Sequence, residues 1–232
     1  RCGKWINSIM ITYERFLKEG VYDPNIFKAV FMAGGPGSGK SFIAGRTTGG
    51  LGLKIINSDT AFEVFLKKEG LSLKMPESET EKRDVERLRA KKVTASKKFL
   101  AIKSRLGILI DGTGHEYNKV ADQAAMLQQI GYETSMVFVN TSLEVALARN
   151  EQRARSVQPK LVKKSWQDVQ NNMGKFQNFF GPSRFFIVDN NGVEEDMLEI
   201  STKHIRRAIS KPVKNVIAAA WITNELKKKD RS

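Results

Sequence analysis

The sequence predicts an α/β protein on a five-stranded parallel sheet, and three observations predict it. Five short, nearly continuous apolar runs recur along the 232 residues, segments of helical period or composition separate them, and a glycine-rich stretch follows the first run directly. Such runs are expected of strands buried on both faces. Strands alternating with helices imply a parallel sheet with helices on both sides.

The first run is Phe27 to Ala33 (FKAVFMA), followed by LKIINSD (53 to 59), LGILIDG (106 to 112), TSMVFVN (134 to 140) and RFFIVDN (184 to 190). Between them, Gly39 to about Thr47 opens a helix, Thr60 to Lys68 forms a short one, and Ser78 to Arg105 a long, charged one. Val120, Ala124 and Leu127 fall on one helical face, as do Val162, Trp166, Val169, Met173 and Phe176. Pro76 to Glu79 and Lys211-Pro212 read as boundaries, and a last helix is expected over Val213 to Leu226. Its Val213, Val216, Ile217, Ala220 and Trp221 recur at helical spacing and read as a face that docks on the body, or else on a membrane or a partner. The organisation expected is an N-terminal extension over 1–26, a main domain over 27–210 and a basic C-terminal helix or tail over 211–232.

Composition narrows the function classes. With 41% hydrophobic and 28% charged residues, the chain is long enough for one sizeable core. No apolar run approaches the roughly 18 residues of a membrane helix, so no membrane partner is expected. A lone Cys2 forms neither an intramolecular disulfide nor a cysteine-built zinc site, which fits a reducing cytoplasm, or a host cytoplasm for a phage-encoded protein. The net charge is +14, and residues 202 to 232 hold nine Lys and Arg against Glu225 and Asp230. A basic surface attracts phosphates of any kind, nucleic acid included, so the tail is a candidate nucleic-acid contact.

Gly34-x-x-x-x-Gly39-Lys40-Ser41 is a phosphate-binding loop pattern, placed after a strand and before a helix as its mechanism demands. Glycines let successive N–H groups converge on an anion without a Cβ in the way, and the helix start adds its positive dipole end. Gly34, Gly35, Pro36, Gly37, Ser38, Gly39, Lys40, Ser41 and Phe42 are the expected nucleotide contacts. Lys40 would reach the β and γ phosphates, and the Ser41 hydroxyl would hold Mg²⁺. ATP and Mg²⁺ are thereby expected, but motors, switches and small kinases share this loop.

The acceptor side is sought at the carboxyl ends of the strands, where open parallel sheets bind ligands. Asp59 closes LKIINSD and Asp111 closes LGILID. Asp111 reads as a carboxylate for Mg²⁺ or its waters, or as a turn-forming Asp-Gly. Asp59 reads as the base that takes a proton from an acceptor hydroxyl, or as the cap of the helix after it. Arg149, Arg153 and Arg155 cluster in ARNEQRARS, with 149 and 153 on one helical face. They read as a cationic lid over a transferring phosphoryl group, or as a solvated face. His115 lies near the expected acceptor pocket; His204 sits in a basic helix and reads as solvated.

IINSD before a helix, then IDGTGHEYNKVADQAAMLQQIGYETSMVFV, resembles the zeta-toxin kinase family, with its acidic-Gly-Thr-Gly, helix and Gly-Tyr-Glu-Thr turn. RNEQRARSVQPKLV is similar to the lid of bacteriophage polynucleotide kinase, with Arg149, Asn150, Arg153 and Pro159 at matching spacings. Together the resemblance covers about residues 27 to 190. It implies a P-loop kinase fold using ATP with Mg²⁺, Asp59 as acceptor base, and Arg149 and Arg153 neutralising ATP phosphates. The acceptor it implies is a nucleotide sugar or a polynucleotide 5′-hydroxyl. Zeta toxins usually carry Glu where Asp111 stands, and both families place a basic residue where this chain has Phe62.

The combined expectation is a kinase that moves the γ-phosphate of ATP to an unidentified hydroxyl acceptor. Its rivals are a P-loop ATPase and a nucleic-acid-binding protein with a relic nucleotide site.

Overall fold

The computed structural model describes residues 20–48, 51–153, 157–192 and 194–229. Its sheet has five parallel strands: β1 (Lys28–Ala33), β2 (Lys54–Ile56), β3 (Ile108–Asp111), β4 (Glu133–Asn140) and β5 (Phe185–Asp189), in the order β2-β3-β1-β4-β5. The chain builds β2 and β3 on one side of β1, then crosses to the other side for β4 and β5. A crevice therefore opens at the carboxyl end of β1, the usual ligand position in such sheets.

All six residues of β1 are buried, as its uninterrupted apolar run requires. Its alternate side chains feed two cores. Phe27, Ala29, Phe31 and Ala33 face one, with Leu127, Phe138, Phe176 and Phe180; Val30 and Met32 face the other, with Ile43, Val139, Ile205 and Ile209. Each fully buried Phe or Ile contributes about 1.5–3 kcal/mol relative to exposure. The outer strands depart from the expectation of burial on both faces. β2 is only three residues with one buried, and in β5 Ile187 is 46% exposed, because an edge strand has one flank without sheet or helix cover.

The helices are α1 (Lys40–Thr48), α2 (Ser58–Lys68), α3 (Thr80–Lys103), α4 (Tyr117–Gln129), α5 (Leu143–Glu151), α6 (Pro159–Phe180), α7 (Glu194–Ile209) and α8 (Val216–Lys229). A 3-10 turn, Glu77–Glu79, precedes α3 where one long helix was expected. Pro159 starts α6, where its missing N–H costs nothing, and Val162, Val169 and Phe176 form the expected buried stripe.

The last helix differs in phase from the expectation. Asn215 Oδ1 accepts from the backbone N–H groups of Ile217 and Ala218 and caps α8, so Val213 lies outside it. The docked face is consequently Ala218, Trp221 and Ile222, while Val216 is 81% and Ile217 54% exposed and Ala220 is exposed. Trp221 meets Phe27 edge to face with ring centroids 5.5 Å apart. A Cβ on Gly131 would stand 3.0 Å from the Ala218 nitrogen, so a glycine at that turn lets α8 approach.

α7 and α8 pack on opposite faces of the sheet, α7 through Ile205 and Ile209, α8 through Ala218. The basic residues contiguous in sequence are thus divided: Lys203, Arg206 and Arg207 ride on one face, Lys227, Lys228 and Lys229 on the other. Among the described residues no helix is long and apolar enough to cross a membrane.

Candidate active site

The glycine loop lies between β1 and α1 and is shaped by close approaches that only glycine permits. Gly37 has φ +78, and a Cβ there would stand 2.3 Å from the Ala146 carbonyl oxygen. Gly39 has φ +88, and its Cβ would meet Asn190 Nδ2 at 2.4 Å. Trp166 backs Gly35 and anchors itself by donating from Nε1 to the Thr141 carbonyl at 2.8 Å. Lys40 folds over the loop, its Nζ donating to the Gly35 carbonyl at 2.9 Å and to Ser38 Oγ at 3.2 Å. Burial pulls the Lys40 ammonium down to about 8; Asp111 and Asp59 oppose that shift, and Arg153 adds to it.

Asp111 ends β3 beside the loop, because β3 and β1 run in register with Met32 opposite Asp111. Its Oδ2 accepts from Ser41 Oγ at 3.2 Å and from Asn57 Nδ2 at 2.6 Å. Burial raises its pKa, partly offset by Lys40 and by these two hydrogen bonds. A carboxylate and a hydroxyl oxygen that meet beside the loop are hard donors that suit Mg²⁺, an ion usually held by few protein oxygens. Among the described residues no group of three His, Cys, Asp or Glu side chains forms a metal cage.

Asp59 is not the terminus of a strand. β2 stops at Ile56, Asn57 is the helix cap, and Asp59 stands in the first turn of α2, donating its N–H to Asn57 Oδ1 at 2.7 Å. The capping alternative for Asp59 is thereby assigned to Asn57. The Asp59 carboxylate pairs with Arg87 of α3, Nη1 to Oδ1 at 2.6 Å.

A cleft of about 380 Å³ brings these groups together, lined by Lys40, Ser41, Asp59, Asp111 and Arg153 among others. Across the loop, a second hollow of about 260 Å³ is lined by Phe42, Arg149, Arg153, Asn190 and Met197. Arg153 borders both.

Arg149 and Arg153 do not share a helical face, because α5 ends at Glu151 with Gln152 as its cap. In the last turn of α5 Asn150 clasps Val157, donating from Nδ2 to its carbonyl at 2.7 Å and accepting its N–H at 2.9 Å. Arg149 turns to Asn190, donating to its carbonyl at 3.0 Å and to its Oδ1 at 3.3 Å. Arg155 lies outside the described residues. His115 is not among the residues that line either hollow; its Nδ1 contacts Thr113 Oγ1. His204 is not simply solvated: it stacks on Phe186 with centroids 4.9 Å apart, and burial lowers its pKa.

Four residues join the site that sequence reasoning passed over: Asn57, Arg83, Arg87 and Asn190. Asn57 and Asn190 follow strands directly, so the strand-end rule that singled out Asp59 and Asp111 reaches them too. Arg83 and Arg87 sit in a helix rich in charge, and nothing in the sequence separates them from its solvated cations.

Residues 30–175 match the model of a family described as an AAA domain. No curated protein sequence matches the chain. Among solved structures, a gluconokinase from Sinorhizobium meliloti is similar at 16% identity and TM-score 0.51, covering 80% of this chain and 95% of that one. A candidate kinase from Chloroflexus aurantiacus is similar at 16% identity and TM-score 0.52, covering 78% and 97%. The PezAT chromosomal toxin–antitoxin system of Streptococcus pneumoniae stands at 16% identity and TM-score 0.49, covering 79% and 87%. The likeness to the first two is one of fold, the P-loop kinase arrangement of five parallel strands flanked by helices.

Proposed function

The chain belongs to the AAA-domain family, and from that premise we propose that it is an ATP-dependent phosphotransferase acting on a hydroxyl acceptor. One observation carries the reading: Lys40 and Ser41 of the phosphate loop line the same cleft as two carboxylates, Asp59 and Asp111, that arrive from different elements. A nucleotide site alone needs no second carboxylate across from the loop, whereas transfer to an alcohol needs a proton acceptor there.

The glycine loop and the start of α1 hold the β and γ phosphates through backbone N–H groups. Lys40 exchanges its bonds to Gly35 and Ser38 for phosphate oxygens. Asp59 orients the acceptor hydroxyl and takes its proton. The acceptor oxygen forms a bond to the γ-phosphorus as the bond from that phosphorus to the bridging oxygen breaks, and ADP leaves. Arg153, bordering both hollows, and Arg149, seated on Asn190, neutralise the charge that spreads over the transferring group. Ser41 and Asp111 would hold Mg²⁺, which when bound offsets phosphate charge. The acceptor is a nucleotide sugar, a nucleotide or a polynucleotide 5′ end.

The test is a screen with γ-labelled ATP and Mg²⁺ against nucleosides, nucleotides, nucleotide sugars and 5′-hydroxyl oligonucleotides. Label appearing in one acceptor class is the expected result. Label released only as free phosphate with every acceptor overturns the kinase reading and leaves an ATPase.

A further inference from the structure

We propose that the acceptor carries an anionic group, a phosphate or carboxylate, which Arg87 receives by moving off the base Asp59. The proposal rests on the phosphotransferase reading and adds the residue that selects the acceptor.

The geometry begins at Phe62. That ring is 3% exposed, one turn beyond Asp59 on α2, and the Arg87 guanidinium lies over it with 4.7 Å from its carbon to the ring centroid. From that seat Arg87 Nη1 donates to Asp59 Oδ1 at 2.6 Å. The base is therefore presented to the cleft with a guanidinium beside it. A hydroxyl that reaches Asp59 also reaches Arg87, and a planar guanidinium resting on an aromatic face is suited to binding an oxyanion by two N–H groups.

A second guanidinium borders the same end of the cleft. Arg83 lies one helical turn before Arg87 on α3 and is held by the Pro76 carbonyl at 3.1 Å and Thr80 Oγ1 at 3.0 Å. Asp84 lines this end as well, so Arg83 and Arg87 stand against Asp59 and Asp84. That balance holds only while Asp59 is charged. Once Asp59 takes the hydroxyl proton, Arg87 loses its anionic partner in a partly enclosed site, and an anion on the acceptor restores it. A neutral polyol offers no such replacement and leaves Arg87 on the base.

Arg87 is thus a specificity-determining residue, and the acceptor's anion must lie within a guanidinium's reach of the reacting hydroxyl. Carboxylate and phosphate share this chemistry, and matched acceptors separate them.

The first measurement is calorimetry with inorganic phosphate on the full chain saturated with Mg²⁺ and β,γ-methylene ATP, which keeps phosphate off the loop. Phosphate is expected to bind the wild type and to bind R87M at least about tenfold more weakly, the scale of one lost charge-assisted hydrogen bond. The second is transfer from labelled ATP to matched pairs: glycerol and glycerol 3-phosphate, adenosine and adenosine 3′-monophosphate, a cyclohexane polyol and its carboxylate. Wild type is expected to favour the anionic member. In R87M the KM for that member is expected to rise about tenfold or more and the preference for it over the neutral member to fall, whereas a merely structural role would lower kcat for both members and leave the preference as it is.

R83M, altering a second half-buried cation, guards against misfolding of the first variant and is expected to weaken phosphate binding in the same direction. Phosphate binding equally to wild type and R87M, or preference for neutral acceptors, overturns this proposal and leaves the kinase reading standing. Failure of the nucleotide analogue to bind wild type overturns both.

Discussion

Asn190, one residue past β5, donates from Nδ2 to the Ser38 carbonyl at 2.6 Å and carries Arg149 on its own carbonyl and Oδ1. The fifth strand thereby braces the phosphate loop from behind and aims an arginine at the same time. Asn190 is 2% exposed, so truncating its side chain strands the Ser38 carbonyl and removes one of Arg149's two bonds, leaving the one to the backbone carbonyl. N190A is expected to lower nucleotide affinity about tenfold and stability by about 1–3 kcal/mol. Nucleotide titration and denaturant unfolding check this; a variant that loses stability but keeps full affinity refutes the bracing role.

Gly37 tests the loop itself. Its φ of +78 and the Ala146 carbonyl 2.3 Å from the place of a Cβ leave no room for alanine. G37A is expected to lose nucleotide binding while retaining the circular dichroism of the fold, because the loop tip must move off the backbone of α5. Undiminished affinity would mean that the loop has another native shape.

Lys40 gives a pH dependence with a definite sign. Burial holds its ammonium near 8 in the free protein, below its ordinary value of 10.5. Bound phosphates favour the charged form, so nucleotide binding takes up a proton around and above pH 8, and affinity falls as pH rises through that value. Calorimetry in two buffers of different ionisation enthalpy reads the uptake. K40M is expected to bind weakly and without it.

Asp59→Asn keeps the shape and removes the proton acceptor. Transfer is expected to fall about 100-fold or more while ATP affinity changes little, since general-base assistance is worth about 100- to 10,000-fold. Unchanged transfer would move the base elsewhere in the cleft.

The basic C-terminal segment is bound to the body as well as charged. Lys214 donates its N–H to Glu133 Oε1 at 3.1 Å and Trp221 lies on Phe27, so removal of residues 211–232 uncovers core. W221A is expected to destabilise by about 2–4 kcal/mol. By contrast K227Q with K228Q, both exposed, should leave stability unchanged and report cleanly on nucleic-acid retention and its salt slope.

The strand count, the parallel class, the phosphate loop and the two carboxylates were legible in the sequence. Each is a local pattern: an apolar run, a period, or a glycine spacing whose physical cause lies within about ten neighbouring residues. The tertiary structure decided the rest. It moved Asp59 from a strand end into a helix whose cap is Asn57, ended α5 before Arg153 while keeping Arg153 beside Arg149 in one hollow, and set the basic residues of α7 and α8 on opposite faces of the sheet. It also brought Arg87 onto Phe62 and Asp59 from 25 or more residues away. Such pairings are set by which helix packs beside which, and one-dimensional spacing holds no record of that.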